Sequence, residues 1–155
     1  MKRKTIKNVL EFEGIGLHKG EKIQIKLLPN KEETGIFFQR VDLPEGKNLI
    51  KVDYKNLFDL ERGTNINNDH DARVYTIEHF MSALHVLGIT DLIVEITGNE
   101  LPILDGSTKI FLEEIEKIGL TSLENEIEPI IIDQVVSFTE EKTGKHVVIL
   151  PYNGF

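Results

Sequence analysis

A carboxylate and an imidazole stand side by side at Glu78 and His79, inside the run Tyr75-Thr76-Ile77-Glu78-His79-Phe80-Met81-Ser82-Ala83-Leu84. Metal-dependent hydrolysis uses those two groups together: a neutral imidazole binds Zn²⁺, and a carboxylate takes a proton from water held by the metal. Ligand and base need not share one helical face, because that water lies between them. By itself a Glu-His pair is more often a solvated helix face with an incidental histidine. The chain has no cysteine, so any metal must be held by His, Asp, Glu or water. No second and third ligand stand at a recognisable spacing from His79. His85 falls on the wrong face for joint ligation. His70, between Asp69 and Asp71, mimics a ligand cluster in what reads as a solvated polar loop.

Two other segments carry side chains of interest. Gly14-Ile15-Gly16-Leu17-His18-Lys19-Gly20 puts His18 in a Gly-rich bend, where it is either a turn residue or part of a cleft. The glycines are not a dinucleotide fingerprint, because a charged β-strand follows where a helix should begin. Gly98-Asn99-Glu100-Leu101-Pro102-Ile103-Leu104-Asp105-Gly106-Ser107 carries Asp105, which either starts a turn, as Asp-Gly dipeptides do, or supports a site.

The elements that position these residues follow from periodicity. Thr5–Phe12 reads as a strand, and Ile23, Ile25 and Leu27 alternate with Lys22, Gln24 and Lys26 in a second that ends at Pro29. Gly35–Val41 reads as a third, suggesting an antiparallel meander, and a short strand follows near Leu49–Tyr54. Residues 55–72 read as irregular. A helix is predicted from Thr76, as N-cap, to Leu87, with Gly88 past its end. Ile77, Phe80, Met81, Leu84 and Leu87 form its apolar stripe. A strand at Asp91–Ile96 points Leu92, Val94 and Ile96 one way. Ser107 can cap a second helix with Phe111, Ile115 and Ile118 inward and Gly119 as terminator. The fold class is α+β: a mainly antiparallel sheet with two helices on one face. Residues 1–120 are expected to form this domain and 121–128 a polar, acidic linker. Residues 129–155 are expected to be the incomplete start of a second, similar domain, an apolar β-hairpin around Thr143-Gly144 that needs a partner.

Composition narrows the function. The 155 residues are 40% hydrophobic and 28% charged, with a net charge of −8. Those fractions are globular, and the acidic balance without a basic stripe argues against nucleic acid as a partner. Lys2-Arg3-Lys4 is not followed by an apolar signal-peptide region, and no stretch approaches the ~20 apolar residues of a membrane span. Absence of cysteine fits a cytoplasmic location.

With these segments in order, the chain resembles the zinc-dependent UDP-3-O-acyl-N-acetylglucosamine deacetylases of bacterial lipid A synthesis. The match rests on Thr5-Ile6-Lys7 through Glu13-Gly14-Ile15-Gly16-Leu17-His18-Lys19-Gly20, on Thr76-Ile77-Glu78-His79, on Leu87-Gly88-Ile89-Thr90, and on Glu100-Leu101-Pro102-Ile103-Leu104-Asp105-Gly106-Ser107. Leu150-Pro151-Tyr152-Asn153-Gly154-Phe155 is similar to the opening of that family's second domain. The resemblance implies a hydrolase that removes an N-acetyl group from a UDP-linked acylated glucosamine and releases acetate. Zinc would sit between two similar domains, with His79 a ligand and Glu78 the general base. The remaining zinc ligands, a His and an Asp, would lie in the second domain and outside this chain. His18, Thr64 and Asp105 would support the cleft or the substrate. The loop Asp59–Ile66 departs from the family's Thr-rich pattern, although Thr64 keeps its place. The implied partners are the UDP-sugar, the second domain and, transiently, a membrane surface. On this reading the chain holds the first half of an enzyme and is inactive alone. The other reading is a truncated or degenerate non-catalytic product, or an assembly partner, that keeps the fold.

Overall fold

The computed structural model describes residues 1–61 and 63–153. The chain divides into two compact units, one of Lys2–Glu126 and one of Met1 with the residues from Ile127 onward. The larger unit begins with β1 (Lys2–Ile6), β2 (Leu10–Ile15), β3 (Lys22–Pro29), β4 (Ile36–Arg40) and β5 (Leu49–Lys51). Short strands β6 (Leu57–Phe58), β7 (Asn65–Asn67) and β8 (Arg73–Val74) follow, then α1 (Glu78–Leu87), β9 (Leu92–Ile96), α2 (Lys109–Ile118) and β10 (Leu120–Glu126).

The main sheet has the order β2-β3-β9-β4-β5. β9 runs antiparallel to β3 and parallel to β4, so β3 and β4 are not neighbours and the expected meander is replaced by a mixed sheet. The register explains why β9 takes that slot. Leu10, Leu27, Val94, Phe38 and Ile50 lie opposite one another in a single row across all five strands. All of that row except Leu10 is fully or almost fully buried. A strand whose inward residues are Leu92, Val94 and Ile96 gains most where both of its edges and its inner face are covered.

The helices cover that face. Phe80 and Leu84 of α1 and Phe111 and Ile115 of α2 are buried as their spacing predicts, and Ala83 joins them, while Met81, Leu87 and Ile118 are only partly buried. Four phenylalanines bind the layers edge to face: Phe38 to Phe80 at 6.1 Å, Phe80 to Phe111 at 5.2 Å and Phe111 to Phe12 at 5.1 Å between ring centroids. Each such pair adds about 0.5–1.5 kcal/mol beyond the area it buries. The α+β class therefore holds, with both helices on one side of the sheet.

Several local expectations change. Thr5–Phe12 is not one strand. β1 pairs with β10 in a separate two-stranded ribbon, and β2 joins the main sheet after a break at Lys7-Asn8-Val9. Most of the segment expected as a linker, residues 121–128, is therefore strand through Glu126, because its backbone groups have β1 as a partner. The polar stretch 55–72 is not irregular either, since β6, β7 and β8 form a small antiparallel sheet. In the smaller unit, β11 (Val136–Thr139) and β12 (His146–Ile149) pair antiparallel, with Gly144 at φ 70° in their turn. The side chains of both strands are exposed.

One buried charge ties the main unit together. Asp91, with a fully buried side chain, accepts hydrogen bonds from Arg3 Nε and Nη2 at 2.8 and 2.7 Å, from the Gly35 amide at 2.8 Å and from Thr90 Oγ1 at 2.6 Å. It thereby joins β1 to the entries of β4 and β9. Burial pushes this carboxyl up, but the Arg3, Thr90 and Gly35 donors outweigh it and hold it below the usual aspartate range. Asp91→Ala should cost about 3 kcal/mol in chemical denaturation, because it strands the guanidinium and the Gly35 amide together. The depressed folded value makes Asp91's contribution complete above the unfolded aspartate value of ~3.9 and lost as pH falls from there through the folded one. Denaturation midpoints measured down that range should drop in the parent chain and drop less in the variant.

Candidate active site

The chain enters α1 in an unexpected way. Thr76 is not its N-cap: Ile77 holds that position, with no side-chain cap bond, and Thr76 sits at φ 60°. A β-branched residue there carries backbone strain of about 1–3 kcal/mol. Bonds from two other segments offset it. The Thr76 amide donates to Asn65 Oδ1 at 3.0 Å, the Ile77 amide to the Thr64 carbonyl at 3.0 Å, and Thr76 Oγ1 to Glu100 Oε1 at 3.3 Å. The first turn of α1 is thus aimed by β7 and by Glu100 rather than by a cap.

Glu78 and His79 open that turn, both half-buried. The Thr64 amide donates to Glu78 Oε2 at 2.9 Å, which fixes the carboxylate and leaves Oε1 without a partner among the described residues. Thr64 therefore contributes through its backbone on both sides, giving an amide to Glu78 and a carbonyl to Ile77. The His79 ring has no hydrogen-bond partner among the described residues, and its carbonyl accepts from Thr108 Oγ1 at 3.2 Å, next to α2. Among the described residues no three His, Asp or Glu side chains converge as a metal site. His70 is exposed in the turn between β7 and β8, where Asn68 Oδ1 accepts from the His70 and Ala72 amides, and His85 is exposed on α1. Asp105 is exposed as well. Its hydrogen bonds, from the Ser107 amide and hydroxyl at 3.0 Å, stay within its own turn, and that amide holds its carboxyl below the usual range. Ser107 Oγ in turn accepts from the Lys109 amide at 3.1 Å, but Ser107 is not the N-cap of α2: Thr108 holds that position, without a side-chain cap bond.

Glu100 is the residue that the sequence did not single out. Its side chain is buried and accepts the His18 amide at 3.0 Å, the Lys19 amide at 3.4 Å and the Thr76 hydroxyl, and its Oε1 lies 2.7 Å from His18 Nδ1. Burial pushes the Glu100 carboxyl up, but the His18 ring and the two amides outweigh it and hold it below the usual glutamate range. A signal was present in the segment Gly98–Ser107, yet nothing in a Glu between Asn99 and Leu101 marks it as buried. A cavity of about 300 Å³ lies over this cluster, lined by His18, Lys19, Gly63, Asn65, Thr76 and Glu100 among others. Gly63 borders Glu78 as well: a Cβ there would lie 3.7 Å from Glu78 Oε1. Glu78 and His79 do not themselves line this cavity; Gly63 and Asn65, which do, flank the Thr64 whose amide holds Glu78.

Fold and site together define an α+β domain that presents a fixed carboxylate beside an imidazole, unengaged among the described residues, at the start of a core helix. Comparison with known proteins gives this class its family. The family model of LpxC, UDP-3-O-acyl N-acetylglycosamine deacetylase, matches residues 3–155, and the chain belongs to that family. It is 40% identical over 151 residues to a UDP-3-O-acyl-N-acetylglucosamine deacetylase of Leptospira biflexa, covering 96% of this chain and 48% of that protein. The corresponding deacetylase of Chromobacterium violaceum is 37% identical over 153 residues, covering 99% of this chain and 49% of its own length. A bifunctional enzyme LpxC/FabZ of Bacteroides thetaiotaomicron is 34% identical over 155 residues, all of this chain but 33% of that protein. The chain spans about half the length, or less, of these curated relatives.

Gly16 is what lets Glu100 reach the His18 loop. A Cβ at Gly16 would lie 2.5 Å from Glu100 Oε2 and 3.1 Å from its Cδ. Gly16→Ala should therefore displace that carboxylate and cost about 1–3 kcal/mol, read as a lowered melting temperature. Gly106→Ser, in open space at φ 79°, gives the comparison in which only backbone strain acts.

Proposed function

We propose that this chain is the first half of a zinc-dependent deacetylase. It would remove the N-acetyl group from UDP-3-O-acyl-N-acetylglucosamine, releasing acetate, in lipid A biosynthesis. The observation that carries the reading is the state of the Glu78–His79 pair: a carboxylate held by the Thr64 amide at Oε2, beside an imidazole, with Oε1 and the ring without a partner among the described residues. Family membership over nearly the whole chain supports the substrate class.

The donor set fits one corner of a zinc site. A neutral imidazole at His79 is a suitable ligand, and the adjacent carboxylate suits a base better than a fourth ligand because the Thr64 amide already holds it. Zinc, when bound, acts as a Lewis acid towards the amide carbonyl and makes water acidic enough to ionise near neutral pH. Glu78 would accept the water proton at Oε1, the oxygen without a partner among the described residues. Thr64 keeps Oε2 fixed, so the carboxylate need not reorganise as it takes the proton. Hydrolysis then breaks the acetamide C–N bond, water supplying the hydroxyl of acetate and a proton for the sugar amine. The other ligands and the groups that protonate the amine would come from a second domain, of which the hairpin β11–β12 is the start. Cytoplasmic location, with transient contact to a membrane surface through the acylated substrate, belongs to the same proposal. No helix among the described residues is long and apolar enough to cross a membrane.

The chain alone should bind zinc weakly, since catalytic sites usually supply three protein ligands. Metal analysis after dialysis should find far less than one zinc per chain, and acetate release from the UDP-sugar should be undetectable. Loss of one oxyanion donor alone typically costs ~10²–10³ in rate. Adding a separately expressed second domain should restore turnover. In that mixture Glu78→Gln should remove most activity while zinc stays bound, whereas His79→Ala should lose both. Chelator-resistant stoichiometric zinc in the chain alone, or an unchanged rate with Glu78→Gln, would overturn the assignment.

A further inference from the structure

Glu100 is an ionisable side chain in the interior that takes no direct part in the mechanism above. Its carboxylate is 4% exposed, while the His18 side chain that it contacts is 54% exposed and lines the cavity. A purely structural carboxylate at this place would need only the His18 and Lys19 amides to close the Gly-rich bend. The imidazole contact is additional, and it has a chemical consequence. An ionised carboxylate only accepts hydrogen bonds, so at 2.7 Å from Glu100 Oε1 the Nδ1 atom of His18 must carry the hydrogen. Nε2 is then the ring nitrogen left for the cavity, without a partner among the described residues.

We propose that Glu100 is a positioning residue that fixes His18 as the Nδ1–H tautomer and offers its Nε2 as a hydrogen-bonding atom to a polar group of the ligand in the cavity. Three further features hold the arrangement before any ligand arrives. The bend carries Gly16 where a Cβ would collide with Glu100, so the carboxylate can pass beneath the loop. Thr76 Oγ1 reaches the same Glu100 oxygen from the entry to α1, coupling the ring of His18 to the turn that presents Glu78. The Gly16–Pro102 and Tyr75–Glu100 bridges hold the backbones of all three segments together. A loop ordered in advance does not lose that freedom on binding. That the ligand is the sugar nucleotide rests on the deacetylase reading, whereas the tautomer does not.

Long-range ¹⁵N–¹H spectra of the His18 ring, recorded as pH is raised until the ring carries a single N–H, decide the first part. The unsubstituted chain should show the Nδ1–H form, and Glu100→Gln should shift the ring towards the other tautomer. An Nε2–H ring in the unsubstituted chain overturns the proposal, and that measurement stands whether or not the variant folds. In the reconstituted enzyme, Glu100→Gln should raise KM roughly tenfold, the worth of one polar contact, with kcat within about threefold. His18→Gln should match it. A lowered melting temperature with KM unchanged would leave Glu100 a structural residue and sink the proposal. If the reconstituted enzyme released no acetate at all, the deacetylase reading would fail while the ring spectra still decided the role of Glu100.

Discussion

The placement of β9 is the constraint on which the rest of this structure depends. It pairs along both edges, antiparallel to β3 and parallel to β4, and its inward residues Leu92, Val94 and Ile96 are fully buried. Because the chain reaches β9 only after α1, β3 and β4 must leave a slot one strand wide. Asn30 shapes the turn that does so, its Nδ2 donating to Thr34 Oγ1 and the Gly35 carbonyl. Asp91 closes it from the other side through the Gly35 amide and Arg3. Once β9 is in place, the apolar row from Leu10 to Ile50 is continuous and α1 has a surface on which to lie.

The Glu78–His79 pair inherits its position from that packing. Phe80, one residue beyond His79, is fully buried between Phe38 and Phe111, so the first turn of α1 cannot rotate without opening the core. Glu78 and His79 therefore point from a rigid element while their surroundings come from loops. This division would suit the hydrolytic role proposed for the pair, in which reacting groups held on a rigid element stay in register while loops form the walls. The strain at Thr76 fits the same account. A regular N-cap would have aimed the helix by local bonds alone, whereas the observed entry is aimed by Asn65 and Glu100, which are themselves parts of the cavity wall.

Membership of the deacetylase family and the half-length match bear on one physical fact: the described residues supply a carboxylate and one imidazole, and no convergent set of three ligands. A single imidazole leaves most of a tetrahedral zinc shell open. The side chains of strands β11 and β12 are exposed, and a two-stranded hairpin by itself is marginal in water.

What the sequence by itself determined here is whatever depends on local period and on local motif. The α1 and α2 stripes, the inward faces of β3 and β9, Gly88 past the end of α1 and the neighbouring Glu78 and His79 were all legible, because one short window holds all the information each of them needs. Pairing was not. That β1 leaves the main sheet for β10 and that β9 separates β3 from β4 depend on partners tens of residues away, while β6, β7 and β8 pair over short loops but are only two or three residues long; alternation is the same whichever neighbour a strand takes. The site divides along the same line. Glu78 and His79 could be read directly, whereas Glu100 could not, because a glutamate in a loop shows neither burial nor partners in its sequence. Only the tertiary structure brings the amides of a glycine-rich bend, a histidine ring and a threonine hydroxyl to one carboxylate, and it is their convergence that makes an ionised group stable inside the fold.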